Sequence, residues 1–284
     1  EASTREVVRR TTQQTTGEFG VNLVVDDGAK IVPTETHVEV CLDEGVDVFS
    51  FSFGTAEPHV DRIHAHDGVV LQSVGSAEEA RTAVEAGVDI LVAQGWEAGG
   101  HVQSETATLP LVPRVVDAAP ETPVIAAGGI ADGRGIAAVL TLGAAGAWLG
   151  PRFLATEEAN VHRLYRQRVI EADETETVYS TLFDKGWPGM PHRVIENATV
   201  DGWRAAGEPE SGRPGEDDVV ARTPDGTPVR RYEDSLAVPD MQGDVAELPL
   251  YAGQSAGLTH EVLPAAELVG SLAAETVDAL GRVD

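Results

Sequence analysis

The sequence predicts an α/β fold in which βα units form a parallel sheet. Short apolar runs rich in β-branched residues alternate with segments of helical periodicity. Three of these runs lead into glycine-rich stretches, at residues 94–101, 128–135 and 146–150. Successive strand ends whose backbone amides face the start of a helix form a ready phosphate cradle.

Six strands are predicted from the apolar runs, and helical patterns separate most of them. The predicted strands cover residues 19–25, 46–53, 68–74, 88–93, 124–127 and 147–149. The predicted helices between them cover residues 3–16, 33–44, 57–65 and 76–86, and no helical pattern resumes until about Thr108. Ser76 with Glu79 three residues later is a capping box, so the fourth helix has a defined start.

The pattern changes after residue 160. Residues 161–171 are helical and charged, and the stretch Trp187-Pro188-Gly189-Met190-Pro191-His192, within residues 175–200, is predicted to form a loop facing the site. Residues 202–234 are rich in Pro, Gly and charge without periodicity, which predicts an insertion or a mobile segment. Residues 263–280 return to apolar helical spacing, which predicts a terminal helix.

The chain is strongly acidic, with 47 acidic against 20 basic residues and a formal net charge of −27. Such a charge opposes binding to nucleic acid and to anionic membranes, so we expect neither as a partner. Acidic residues spread over the whole chain, with few lysines, favour a halophilic source, because salt screens their self-repulsion. The alternative is an ordinary acidic, soluble protein.

The remaining composition predicts a cytoplasmic protein without a metal. The single cysteine, Cys41, lies in an apolar helical pattern and cannot form an internal disulfide. No apolar run approaches the roughly 20 residues of a membrane span. His59, His64 and His66 are close in sequence, but the last two do not share a helix face, so we expect no metal site.

Three motifs, in this order and spacing, resemble the nitronate monooxygenase family, formerly called 2-nitropropane dioxygenases. They are AQGWEAGGH (93–101), AAGGIADGRG (126–135) and WLGPRFLAT (148–156), and the likeness extends from residues 19–22 to residues 250–254. The resemblance implies a TIM-type (β/α)₈ barrel that binds FMN. Against that pattern this chain lacks the first two strands and has a small helical inserted domain.

The resemblance also predicts three domains. Residues 1–160 would form the FMN-binding barrel, residues 161–250 an inserted helical and loop domain, and residues 251–284 a C-terminal helix returning to the barrel. The chain begins on what resembles the family's second helix. Because a gap of two strands exposes apolar edges, we expect a truncated sequence or a complementing partner. The oligomeric state stays open, with a homo-oligomer as one option.

His101 is the candidate catalytic residue. It follows a glycine loop at the C-terminal end of a predicted strand, where barrel enzymes place their active sites. An imidazole transfers protons near neutral pH, and the resemblance implies that His101 is the base beside the flavin. The alternative is a structural histidine. Glu97 is interpreted as an orienting carboxylate.

The resemblance assigns FMN binding to two side chains on predicted strands and to the glycine-rich stretches, the later of which would hold the phosphate. These residues are Asn22, Gln94, Gly99, Gly129, Trp148, Leu149, Gly150 and Pro151. The glycines could instead serve turn geometry, and Asn22 could make a strand-end hydrogen bond. Gln72 is a weaker candidate near the ring. Pro151 stands where the family commonly has Thr, which removes a hydroxyl and an amide donor.

The resemblance implies oxidation of alkyl nitronates or nitroalkanes by O₂ to a carbonyl compound and nitrite. With a neutral nitroalkane, His101 would abstract the α-proton. Two alternatives remain open at the level of sequence. The glycine-glycine-histidine loop is similar to that of flavin-dependent enoyl-acyl-carrier-protein reductases, which use a reduced nicotinamide. A truncated barrel that has lost FMN and acts as a partner subunit is the non-enzymatic alternative.

Overall fold

The computed structural model describes residues 2–25 and 32–282 and groups the chain into two compact units. Unit 1 comprises the chain up to Gln94 with residues 103–126 and 142–146. Unit 2 comprises residues 95–102, 127–141 and 147–284. The division at residues 160 and 250 stays a prediction.

A six-stranded sheet with surrounding helices confirms the predicted parallel α/β fold, and most of that sheet lies in unit 1. The first strands are β1 (Gly20–Val24), β2 (Val48–Ser52), β3 (Val69–Val74), β4 (Ile90–Gln94), β5 (Gly100–His101), β6 (Val124–Ala127) and β7 (Gly146–Trp148). All except β5 form the sheet, in the order β1-β2-β3-β4-β6-β7, and the pairs from β1 to β4 are parallel. Each predicted strand therefore corresponds to an observed one.

The helices of unit 1 follow the predicted ones closely. They are α1 (Ala2–Gln14), α2 (Thr34–Asp43), α3 (Glu57–His64), α4 (Ala77–Glu85) and α5 (Thr108–Ala118). The Ser76 hydroxyl accepts a hydrogen bond from the Glu79 amide at 3.1 Å, and the Glu79 carboxylate accepts one from the Gly75 amide at 2.9 Å. The first bond satisfies an amide that the first helical turn leaves without a partner, and the second satisfies the amide of the residue before the Ser76 cap. The predicted capping box is confirmed.

Unit 2 contains five further helices and two small antiparallel sheets. The helices are α6 (Gly133–Thr141), α7 (Pro151–Leu154), α8 (Arg163–Glu171), α9 (Ala198–Ala205) and α10 (Ala265–Leu280). The new strands are β8 (Thr177–Ser180), β9 (His192–Ile195), β10 (Val219–Arg222), β11 (Pro228–Arg230) and β12 (Gln242–Gly243). They form one sheet in the order β5-β9-β8 and another in the order β11-β10-β12. The terminal helix α10 packs against α6.

The segment 161–250, predicted as a helical and loop region, contains strands as well as helices. Within the described residues this segment contains five strands besides α8 and α9. The loop predicted for residues 187–192 lies between β8 and β9, with His192 as the first residue of β9, and the segment 202–234, predicted as an insertion or as mobile, contains the paired strands β10 and β11. Strands of two to four residues are too short to show an alternating pattern, so no strand could be predicted there. A separate finding is that no described helix combines the length and apolar character required to cross a bilayer.

Replacing Ser76 by Ala removes the cap of α4 and should lower the free energy of unfolding by about 1 kcal/mol. Urea denaturation measures this loss. Thr82→Ala is the matched control, because the Thr82 hydroxyl donates only to the Glu78 carbonyl inside the same helix. The control should stay within about 0.5 kcal/mol of the wild type. Equal losses in both variants would contradict the capping role.

Candidate active site

The loop between β4 and β5 is held by backbone hydrogen bonds at both ends. The Gly95 amide donates to the Ala127 carbonyl at 2.8 Å. The Glu97 carbonyl accepts from the Gln254 amide at 3.0 Å. Because these bonds connect the loop to chain segments distant in sequence, the loop has one defined path through unit 2.

Gly99 lies where two backbone segments make close contact. A Cβ atom on Gly99 would lie 2.2 Å from the Gly253 nitrogen, and one on Gly253 would lie 2.5 Å from the Glu97 oxygen. No side chain fits at such distances, so both positions require glycine. This packing accounts for Gly99 without a cofactor contact, and FMN binding by Gly99 stays a prediction.

β5 carries His101 into a short antiparallel sheet. Gly100 pairs with Arg193 of β9, and His101 pairs with His192. The pairing continues one residue beyond β5, where the Val102 amide donates to the Pro191 carbonyl at 3.0 Å. The position of the imidazole is therefore set by strand pairing within unit 2.

The imidazole of His101 lies among aromatic rings. Its centroid is 4.4 Å from Trp187, 5.5 Å from His192 and 5.5 Å from Tyr251. Its side chain is only 13% exposed. Burial lowers the pKa of His101 below its usual value, because the apolar surroundings disfavour the charged form. The ring is therefore neutral at neutral pH and able to accept a proton.

Asp234 is the acidic group nearest to that imidazole. Its Oδ2 lies 3.7 Å from the Nε2 atom of His101, and its Oδ1 accepts a hydrogen bond from the Tyr251 hydroxyl. The Asp234 amide donates to the Lys185 carbonyl at 2.9 Å, which fixes the backbone there. The carboxylate opposes the effect of burial and raises the pKa of His101. Burial, followed by Asp234, raises the pKa of Tyr251, so its hydroxyl remains a donor.

His192 is a structural histidine with a single tautomer. It is fully buried, and its Nδ1 lies 3.1 Å from the Met190 carbonyl, which can only accept. Its Nε2 accepts from the Phe183 amide at 3.1 Å, so Nδ1 carries the proton. Burial lowers the pKa of His192 to about 4. This side chain is therefore neutral at neutral pH and contributes no charge to the site.

Arg193 supports the loop from the other face of β9. It is 2% exposed, and its guanidinium lies 4.2 Å from the centroid of the Trp96 ring. One amino group donates to the Trp96 carbonyl at 3.0 Å and another to the Thr177 hydroxyl at 3.4 Å. Burial lowers the pKa of Arg193, whereas Glu97 acts in the opposite direction. The cation holds the residues just before His101 in place.

The glycine-rich stretches of unit 2 fit the approach of a phosphate to the backbone. Gly129 has φ +71°, and a Cβ there would meet only the Glu97 side chain, at 3.6 Å. A Cβ on Gly150 would meet nothing within 4 Å. Trp148 ends β7 and is 44% exposed, Leu149 follows it, and Pro151 begins α7 without an amide donor. Open backbone at Gly129 and Gly150 is what a bound phosphate requires.

The other predicted binding residues lie in unit 1. Asn22 is on β1 and pairs with Ser50 of β2. The Gln94 side-chain oxygen accepts from the Gln103 amide at 3.2 Å. Gln72, the weaker candidate, is buried and accepts from the Ala56 amide at 2.8 Å, which accounts for it structurally.

Two residues of the site, Asp234 and Tyr251, were missed at the level of sequence, and two others, Trp187 and His192, were assigned no role. Tyr251 lies in residues 250–254, which the family resemblance includes. That resemblance was the one feature of the sequence from which Tyr251 could have been predicted. Trp187 and His192 were noted only as part of a loop. No sequence pattern indicated Asp234, because it is the last residue of the segment 202–234, which has no periodicity.

Gly99→Ala should cost about 1–3 kcal/mol of unfolding free energy, because the added methyl group has to displace the backbone of residues 252–253. Urea denaturation of the variant measures the cost. Gly202→Ala in α9 is the control, since a Cβ there meets no atom within 4 Å. An unchanged Gly99→Ala variant would disprove the close contact.

The depressed pKa of His192 predicts how stability depends on pH. The unfolded chain binds this proton near pH 6.5 and the folded chain near pH 4, so stability falls as pH drops through that window. The loss attributable to His192 should reach about 3 kcal/mol. Unfolding midpoints across this window should show a shallower slope for His192→Gln. The exposed His66→Gln should keep the wild-type slope, and a wild-type slope in His192→Gln would contradict the assignment.

Comparison with known proteins places the chain in a family. The family model described as nitronate monooxygenase matches residues 2–275. A Mycobacterium tuberculosis relative named (3aS,4S,5R,7aS)-5-hydroxy-7a-methyl-1-oxo-octahydro-1H-indene-4-carboxyl-CoA dehydrogenase is 40% identical over 185 residues, 64% of this chain and 50% of its own. The first curated relatives are matched over 63%, 50% and 54% of their own lengths, so the chain spans about half to two thirds of them.

Two solved structures are similar over almost the whole chain. FabK from Thermotoga maritima has a TM-score of 0.80 at 30% identity, covering 98% of this chain and 82% of its own. Nitroalkane oxidase from Streptomyces ansochromogenes has a TM-score of 0.77 at 26% identity, covering 100% of this chain and 87% of its own. With the family match over residues 2–275, these findings show that the chain belongs to the nitronate monooxygenase family.

Proposed function

We propose that this chain catalyses the FMN-dependent oxidation of alkyl nitronates and nitroalkanes, using O₂ and releasing a carbonyl compound and nitrite. Membership of the nitronate monooxygenase family and the likeness to a nitroalkane oxidase support this reaction class. The observation that carries the proposal is the neutral, buried imidazole of His101, which stands at the end of the glycine loop with a carboxylate 3.7 Å away. A base of this kind suits removal of a proton from carbon beside a nitro group.

The chain's own residues would bind the substrate, exclude water and accept the proton. Open backbone at Gly129 and Gly150 would hold the FMN phosphate, and the FMN contacts of Asn22 and Gln94 stay separate predictions from the sequence. Bound FMN supplies the redox chemistry. His101 would take the α-proton of a nitroalkane onto its imidazole or hold a nitronate by a hydrogen bond. The rings of Trp187 and Tyr251 would limit access of water to that proton.

The absorbance of the purified chain and its O₂ consumption test the proposal. The protein should be measured in molar KCl, because salt screens the self-repulsion of a chain with a net charge of −27. We expect a flavin spectrum, and O₂ uptake with release of nitrite when propionate 3-nitronate is added. A flavin spectrum without O₂ uptake on addition of either propionate 3-nitronate or nitroethane would contradict the reaction. A colourless folded protein would instead support the non-catalytic alternative.

A second candidate function is flavin-dependent reduction of an enoyl thioester. The likeness to FabK and the CoA thioester in the name of the Mycobacterium tuberculosis relative favour it. Oxidation of NADH on addition of an enoyl thioester separates the two candidates. Thioester-dependent NADH oxidation, without nitronate-dependent O₂ uptake, would replace the nitronate reaction with this one.

His101→Asn should reduce turnover of a neutral nitroalkane by about 10²–10⁴-fold, the usual effect of losing a general base. Asn keeps a polar side chain, so the flavin content should not change. O₂ uptake and flavin absorbance of the same preparation measure both quantities. His66→Asn, at an exposed histidine, should behave as the wild type. Unchanged turnover in His101→Asn would remove this residue from the mechanism.

A further inference from the structure

We propose that Asp234 selects the charge of the substrate, so that this site favours a neutral nitroalkane, deprotonated on the protein, over a preformed anionic nitronate. The inference rests on the proposed function and assigns Asp234 a positioning role through His101. It follows from the position of one carboxylate, the charges around it and the balance of charge during proton transfer.

The Asp234 carboxylate is fixed beside the imidazole. Its two oxygens have different neighbours: Oδ1 accepts from the Tyr251 hydroxyl, and Oδ2 lies 3.7 Å from His101 Nε2. The side chains of Asp234 and His101 are only 21% and 13% exposed. Because water screens a charge weakly at such a site, the carboxylate acts strongly on whatever binds beside the imidazole.

The described rings that face His101 carry no charge that offsets the Asp234 carboxylate. The described rings around the imidazole belong to Trp187, His192 and Tyr251. His192 is neutral because its Nε2 accepts a hydrogen bond from the Phe183 amide and so carries no proton, and Tyr251 is neutral because its hydroxyl keeps its proton and donates it in a hydrogen bond to Asp234. The pair of a neutral His101 and an ionised Asp234 therefore carries a net charge of about −1 at neutral pH.

Proton transfer from a neutral nitroalkane preserves that charge. The α C–H bond breaks, its electron pair stays on the substrate as the nitronate, and the proton forms an N–H bond on His101. The resulting imidazolium lies between the new nitronate and the Asp234 carboxylate, which stabilises it as the acidic partner of a catalytic imidazole does. A nitronate that arrives already ionised instead brings a second negative charge to the same place, which the carboxylate repels.

The kinetic test compares nitroethane with ethyl nitronate in the full-length flavoprotein. A neighbouring charge changes an acid dissociation constant by about 10- to 1,000-fold, so Asp234→Asn should lower kcat/KM for nitroethane by about tenfold or more. The same variant should raise kcat/KM for ethyl nitronate. Asp234→Glu retains the charge and should restore the wild-type preference. Glu233→Gln is the matched control, because it removes a charge from the adjacent residue, and it should change neither value.

Two kinetic outcomes would overturn the inference. An equal fall for both substrates in Asp234→Asn, at unchanged flavin content, would mean that the carboxylate only supports the structure. No change for either substrate would mean that it has no influence on the reaction. If Asp234→Glu fails to fold, Asp234→Asn alone decides the question. In that case an unchanged ratio of kcat/KM for nitroethane to kcat/KM for ethyl nitronate would overturn the inference.

A titration of His101 keeps the inference separate from the proposed function. If the wild type oxidises neither substrate, the proposed function fails, but the charge effect can still be measured. The His101 imidazole resonance, assigned by its absence in His101→Asn, should titrate at lower pH in Asp234→Asn than in the wild type, since the carboxylate raises the pKa of His101. An unchanged pKa would overturn the role of Asp234 regardless of the substrate.

Discussion

The backbone of residues 97–99 lies directly against the backbone of residues 252–254, at distances that only glycine permits on both sides. The hydrogen bond from the Gln254 amide to the Glu97 carbonyl joins the two segments. This contact fixes the path of the loop that leads into β5 and also places Tyr251. The position of His101 and the ring that covers it are therefore consequences of one backbone contact.

The electrostatics of the site depend on burial rather than on a large number of charges. In a chain with a net charge of −27, the described surroundings of His101 contain one nearby carboxylate, a neutral His192 and a protonated Tyr251. The Arg193 guanidinium lies over the Trp96 ring and is not one of these groups. Burial keeps the imidazole deprotonated, while Asp234 makes it a stronger base than burial alone would allow. These opposing effects suit a group that must accept a proton from carbon.

The sequence predicted the parts of the molecule in which local pattern and tertiary structure agree. Long buried strands, the Ser76 cap and the glycine loop leave period, capping and composition signals, so the six-stranded sheet and the place of His101 could be predicted. The β8–β12 strands and the Asp234 and Tyr251 contacts could not, because strands of two to four residues have no readable period. A single carboxylate at the end of a charged segment also has no signal before the chain folds around it.

Amide hydrogen exchange tests most directly whether the close backbone contact holds the loop that precedes His101. The Gln254 amide donates to the Glu97 carbonyl across the close contact, and the Val102 amide donates to the Pro191 carbonyl just beyond β5. We predict protection for both amides comparable to that of the β2 and β3 amides in the central sheet. Exchange as fast as in exposed loops would show that the segments 97–99 and 252–254 are not held together. In that case the strand-end position of His101, on which the proposed chemistry depends, would be lost.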